Sequence, residues 1–231
     1  MNFDLHTLLF GVYPYIALVT FVVGSWLRFD NEQYTWKSDS SQLLSKRHMR
    51  LGSNLFHIGI LGIFFGHLVG LLTPHSVFLA MGISDMTHQY IAIYAGAVFG
   101  LMVVAGGGIL WLRRMFNPRI RATSRWTDIN ILGWLVITGT IGLTTIYYSL
   151  GHAGHGDASV MIRLAEWVQS IVILQPKPDL LREVDAVYRL HIFFGLSIFL
   201  FFPFTRLVHI WSAPLGYLFR AYQIVRAKRV A

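Results

Sequence analysis

Four of the ten histidines, His57, His67, His191 and His209, stand inside long apolar stretches. Imidazole is the commonest metal ligand and titrates near neutrality. An ionisable side chain at membrane depth is costly enough that it usually marks a functional site. His57 and His67 are ten residues apart on one stretch, and His191 and His209 are eighteen apart on another. On a helix, ten residues give a rise of about 15 Å and an offset of about 80°, and eighteen give about 27 Å and a whole number of turns. On antiparallel helices His57 then meets His209 at one depth, and His67 meets His191 at the other. Each pair can clamp an object between the helices, and the unequal rises require a tilt that makes the two sites non-identical. Two opposed imidazoles are the axial ligands of a six-coordinate haem. Zinc or copper needs three or four ligands at one depth, and a proton relay needs carboxylates along its path, of which these stretches hold almost none. Two non-covalent haems b account for all four residues together. The plain alternative is that each ring bonds a carbonyl across helices.

Side chains near these positions extend the pattern. Gly195 lies one turn from His191 on the same face and leaves room for a flat macrocycle. Gly62, Gly66 and Gly70, four apart, allow close approach to the second stretch, although helix packing explains such a stripe as well. Arg206, three residues before His209, could pair with a propionate of the inner haem, and Arg189 could serve the outer one; snorkelling to the headgroups is the other account of both. Two redox centres at two depths form an electron path, and electrons must enter from a lipid-soluble donor or leave to a partner. A quinol loses protons with its electrons, so His88, near the outer haem level, could accept a hydrogen bond or proton, and Gly66 could border the same pocket. His6, His48, His75, His152 and His155 read as loop or end residues.

The positioning elements follow from length and charge. A bilayer core of about 30 Å takes roughly 20 apolar helical residues. Five windows qualify: 5–27, 51–84 with its helix ended near 72 by Thr73-Pro74-His75, 86–112, 129–148 and 187–211. Arg189 and Arg206 interrupt the fifth. Charged residues are only 13% of the 231, about half the share of a soluble domain. The absence of cysteine removes disulfides, thiolate nucleophiles, iron-sulfur ligation and covalently attached haem. The net charge of +8 does not indicate nucleic acid, because the basic residues sit in alternate loops. Arg28, Lys37, Lys46, Arg47 and Arg50 fill the first loop, Arg113, Arg114, Arg119, Arg121 and Arg125 the third, and Arg220, Arg226, Lys228 and Arg229 the tail. The positive-inside rule then puts the N terminus outside and the C terminus in the cytoplasm. With Arg28 the first basic residue, the first span reads as a retained helix and not a cleaved signal. Residues 158–174 are amphipathic around Arg163, Glu166 and Gln169 and read as a helix on the outer surface, with a re-entrant segment as the alternative. Residues 175–179 hold two prolines and break the chain before the fifth span. The whole is expected to be an all-α integral membrane protein, a single domain over 1–231: a five-helix bundle with two haems b between helices 2 and 5, and a cytoplasmic tail, 212–231, that docks partner subunits.

Ordered runs across nearly the whole chain carry a resemblance. They include Tyr13-Pro14-Tyr15, Gly24-Ser25-Trp26-Leu27-Arg28, Gln33-Tyr34-Thr35-Trp36, Asn54-Leu55-Phe56-His57-Ile58-Gly59-Ile60-Leu61-Gly62, Gly66-His67, Leu72-Thr73-Pro74-His75, Pro118-Arg119-Ile120-Arg121-Ala122-Thr123, Arg189-Leu190-His191, Phe202-Pro203-Phe204 and His209-Ile210-Trp211-Ser212. In these the chain resembles the gamma subunit of respiratory nitrate reductase, a di-haem cytochrome b. The resemblance implies the same four haem ligands in the same pairs, and quinol oxidation near the outer haem. It further implies electron transfer to an iron-sulfur beta subunit and a molybdenum-containing alpha subunit that reduces nitrate, in a bacterial or archaeal cytoplasmic membrane. Where some members have a lysine at the start of the third helix, this chain has His88 after a short insertion. A di-haem cytochrome of a heterodisulfide or sulfite reductase complex is the related alternative.

Overall fold

The computed structural model describes residues 4–37, 41, 44 and 48–212. The basic tail from residue 213 onward, with Lys46 and Arg47, lies outside the described residues. Five helices are long and apolar enough to cross a membrane: Leu5–Asn31, Met49–Leu72, Asp85–Phe116, Trp126–Gly154 and Ala186–Phe204, the last ending in a 3-10 turn. The expected spans are all present, each but the fifth extended by a turn or so at its polar ends.

They form an arc. The second span packs on the third, the third on the fourth, the fourth on the fifth, and the fifth on the first, whereas the second and fifth do not pack closely on each other. Small residues draw the second and third spans together: a Cβ on Gly59 would stand 2.8 Å from the Phe99 carbonyl oxygen, and one on Gly106 2.4 Å from the Phe56 nitrogen. Backbone therefore meets backbone, the geometry that small residues give membrane helices. Gly62 belongs to the same seam, since its Cβ would strike the Phe99 ring.

Helix Ser159–Val172 has 14 residues, a length of about 21 Å, too short for a crossing. It lies across the end of the bundle assigned to the outside by the loop charges, hereafter the outer end, and buries Trp167, Ser170 and Ile171. Its seat answers a defect in the first span. Pro14 has no N–H for the carbonyl four residues earlier, and the backbone there widens into a π-turn over Leu8–Val12. The Trp167 indole N–H donates to that carbonyl, Phe10 O, at 2.9 Å. Gln169 Nε2 likewise donates to Leu71 O at 3.1 Å and Thr73 O at 3.3 Å, filling carbonyls left open where the second span ends.

The fifth span departs from expectation. A continuous helix to residue 211 would carry both histidines, but the α-helix ends at Phe201. A 3-10 turn, Phe202–Phe204, an extended Thr205 and a second 3-10 segment, Arg206–Ser212, follow. Pro203 is the cause, since its ring cannot continue the hydrogen-bond ladder. The whole-turn spacing between His191 and His209 therefore does not apply, and His209 lies beyond the helix proper.

Candidate haem sites

The structure brings the rings of the outer sequence-predicted pair together and leaves the inner pair within electrostatic reach. The rings of His67 and His191 face one another across the gap between the second and fifth spans, with centroids 6.2 Å apart. His209 is near enough to His57 for the two to interact electrostatically. His57 and His67 are both exposed in the structure, and they stand on a helix surface at membrane depth where a bare imidazole is costly.

Each ring is held by its Nδ1. His57 Nδ1 donates to Ser53 O at 2.7 Å and His67 Nδ1 to Ile63 O at 2.9 Å, both one turn back on the same helix. His191 Nδ1 donates across to Thr138 O of the fourth span at 3.2 Å, and His209 Nδ1 to Arg206 O at 2.5 Å. A carbonyl accepts only, so all four rings carry their proton on Nδ1. In the neutral ring that tautomer leaves the lone pair on Nε2, the usual arrangement of a metal-bound histidine. His6 is the contrast: its Nε2 bonds Pro178 O at 2.8 Å. Two metal-imidazole bonds of about 2 Å and the half-widths of two rings, about 1 Å each, sum to about 6 Å between ring centres, which matches the outer pair. Among the described residues no three His, Asp or Glu side chains converge as metal ligands. An opposed imidazole pair such as His67 and His191 is the donor set that a macrocyclic iron takes, whereas a tetrahedral zinc takes three or four ligands.

The surroundings fit a flat group with acidic arms. A Cβ on Gly195 or on Gly66 would meet nothing within 4 Å, so both leave open space, Gly195 one turn from His191 and Gly66 beside His67. The Nε of Arg189 is buried without a hydrogen-bond partner, a donor that a propionate would satisfy. Arg206 lies three residues before His209 on the 3-10 segment, where side chains three apart eclipse; the neighbour relation expected on an α-helix arises by a different geometry. Two contacts of His191 were not legible in the sequence. Thr138 supplies its acceptor, and Gly142 supplies its clearance, since a Cβ there would be 2.9 Å from His191 Cε1. Both sit on the fourth span, and only the tertiary fold shows which of its residues face a ligand.

At the outer end a small cleft is lined by Gly70, Thr73, His75, Phe78, His88 and one face of helix Ser159–Val172, including Glu166 and Gln169. His88 is half-buried and stacks on Phe78 with centroids 4.0 Å apart. Its Nε2 is 3.5 Å from where a Cβ of Gly70 would stand, which puts His88 one turn from the His67 level. His75 Nδ1 pairs with Asp85 at 2.9 Å. Gly66 is not among the residues lining this cleft. His152 pairs with Asp185 at 3.5 Å and Asp157 caps Ser159 N at 2.8 Å, so neither joins His155 in a metal cluster.

The family model for the nitrate reductase gamma subunit matches residues 6–228. The chain belongs to the nitrate reductase gamma subunit family. It is 49% identical over 227 residues to the respiratory nitrate reductase 2 gamma chain of Escherichia coli, covering 97% of this chain and 98% of that one. It is 36% identical over 221 residues to the nitrate reductase gamma chain of Bacillus subtilis, covering 96% and 98%. Both alignments run nearly end to end, and the family match takes in all four histidines of this gamma-family chain and all of the five spans but Leu5.

Proposed function

We propose that this chain is the membrane cytochrome b subunit of a respiratory nitrate reductase, holding an inner haem b between His57 and His209 and an outer haem b between His67 and His191. The observations that support the reading are the four Nδ1–H bonds to carbonyls, which leave Nε2 open on each ring, and the 6.2 Å between the ring centres of His67 and His191. Bound there, haem supplies one-electron carriers at two depths of a cytoplasmic membrane. Arg189 and Arg206 take the propionates. The outer cleft receives the headgroup of a quinol, with His88 as hydrogen-bond acceptor for a hydroxyl and the His75–Asp85 pair beside it; Gly66 borders the route from that cleft to the outer pair. Two protons leave on the outer side as two electrons pass inward to an iron-sulfur beta subunit and on to a molybdenum-containing alpha subunit, where nitrate is reduced. No residue of this chain reduces nitrate.

The test is a pyridine haemochrome count with reduced-minus-oxidised spectra of the purified chain. Two haems b per chain are expected, with His57→Ala or His209→Ala removing the inner one alone and His67→Ala or His191→Ala the outer. Protein that folds and binds no haem would refute the reading.

A further inference from the structure

The first span carries none of the four histidines, yet it holds the segment that carries one of them. After Pro203 the chain has left the helical ladder, and its carbonyls need donors from elsewhere; in lipid an unsatisfied carbonyl is costly. Arg28, in the last turn of the first span, supplies them. Its Nη1 donates to Pro203 O at 2.6 Å and Thr205 O at 2.8 Å, and its Nη2 to Thr35 O at 3.0 Å, with Nε on Thr35 Oγ1 at 3.3 Å. One planar guanidinium thereby ties the first span, the turn Gln33–Thr35 and the start of the His209 segment to one another. Thr205 closes the joint, its hydroxyl donating to Phe202 O and accepting from Leu207 N.

The neighbouring contacts aim at the same few residues. A Cβ on Gly24 would stand 2.8 Å from Pro203 Cγ, so glycine there is what lets Pro203 seat fully buried. The Phe21 ring meets Phe202 at 4.8 Å and stacks on Trp211 at 5.3 Å. The Trp36 indole N–H donates to Ser212 Oγ at 2.7 Å. Both ends of the 3-10 segment are thus fastened to the first span and its following turn, and His209 lies between the fastenings. Such 3-10 runs of seven residues are uncommon without support, and this bracket is the support.

We propose that Arg28 is a positioning residue for the inner haem: it fixes the backbone of 203–205, and through it the depth and ring plane of His209. This rests on the haem reading above. Lysine replaces it only in part, because an ammonium keeps the charge but lacks the rigid fork that reaches three carbonyls at once.

The experiment uses the full chain in membranes. Because the chain has no cysteine, Val208→Cys introduces a single thiol at the fully buried position next to His209. Its maleimide labelling rate reports detachment of the segment with or without haem. In that background Arg28→Met is expected to raise labelling by about tenfold or more, the scale of losing one charge-assisted bond. It also removes or shifts the inner-haem signal in electron paramagnetic resonance and leaves the outer signal unchanged. Arg28→Lys retains the inner haem with a shifted signal and potential. Unchanged labelling together with an unchanged inner-haem signal in Arg28→Met overturns the assignment, and so does equal loss of both haem signals in both Arg28 variants. A parent chain with no haem refutes the cofactor reading instead, and the labelling comparison still decides the role of Arg28.

Discussion

Gly142→Ala tests the outer site without touching a ligand. The added Cβ would lie 2.9 Å from His191 Cε1, 3.3 Å from Nδ1 and 3.6 Å from Nε2. Carbon atoms settle at about 3.5 to 4.0 Å, so the ring must retreat by roughly half an ångström or more. It has little freedom to do so, because Nδ1 is already at 3.2 Å from Thr138 O and retreat lengthens that bond. The intrinsic helix gain of alanine over glycine acts with and without haem and cancels in the affinity. The clash does not cancel, because a free imidazole can turn aside and one bound to iron cannot. Overpacking of this size costs about 1 to 3 kcal/mol, or about 5- to 150-fold in retention of the outer haem. The assay is dilution of purified protein into a haem scavenger, with the two haems followed by their spectra. The outer haem should leave faster by that factor while the inner rate stays at the parent value. Equal rates for the outer haem in parent and variant would refute the placement of His191 against the fourth span.

Three further outcomes are expected. Trp167→Phe leaves Phe10 O without a donor and should destabilise the protein by about 1 to 3 kcal/mol in denaturant titration. Adding Pro14→Ala restores a backbone N–H to that carbonyl and should recover part of the loss, whereas additive effects of the two changes would contradict the pairing. His88→Leu should slow turnover with quinol while both haems remain, and unchanged turnover removes His88 from the quinol site. Asp4, at the start of the first span, accepts from Thr7 N and from Arg182, and these bonds hold its carboxyl well below the ordinary 3.8. Its contribution to stability is present above that unfolded value and is lost as pH falls through the lower folded one. The melting temperature of the parent should accordingly fall more steeply below about pH 4 than that of Asp4→Asn, and parallel curves would sink the claim.

The spans were legible because five charge-poor windows of membrane length are rare by chance, and the histidines because their depth is unusual for an ionisable group. The pairing of His67 with His191 followed from antiparallel counting alone. What hydropathy could not register is the missing N–H of Pro203: phenylalanines surround it, so the window stays apolar while the helix stops. The same blindness hid the answer to Pro14, because the donor, Trp167, lies 153 residues further along. Thr138, Gly142 and Arg28 escaped for a different reason. Each acts on a residue in another element, and no periodicity within its own span distinguishes it from its neighbours.

The arc has a bearing on how the protein is made. The second span rests on the third and stays apart from the fifth, so four helices can insert and settle with the slot between them still open sideways to the lipid. Ser53 and Ile63 have aligned His57 and His67 by then, but the opposing rings come last from the ribosome. On the haem reading, pigment capture would wait for the fifth span, and a nascent chain stopped before residue 191 would have half of each clamp and nothing to close it.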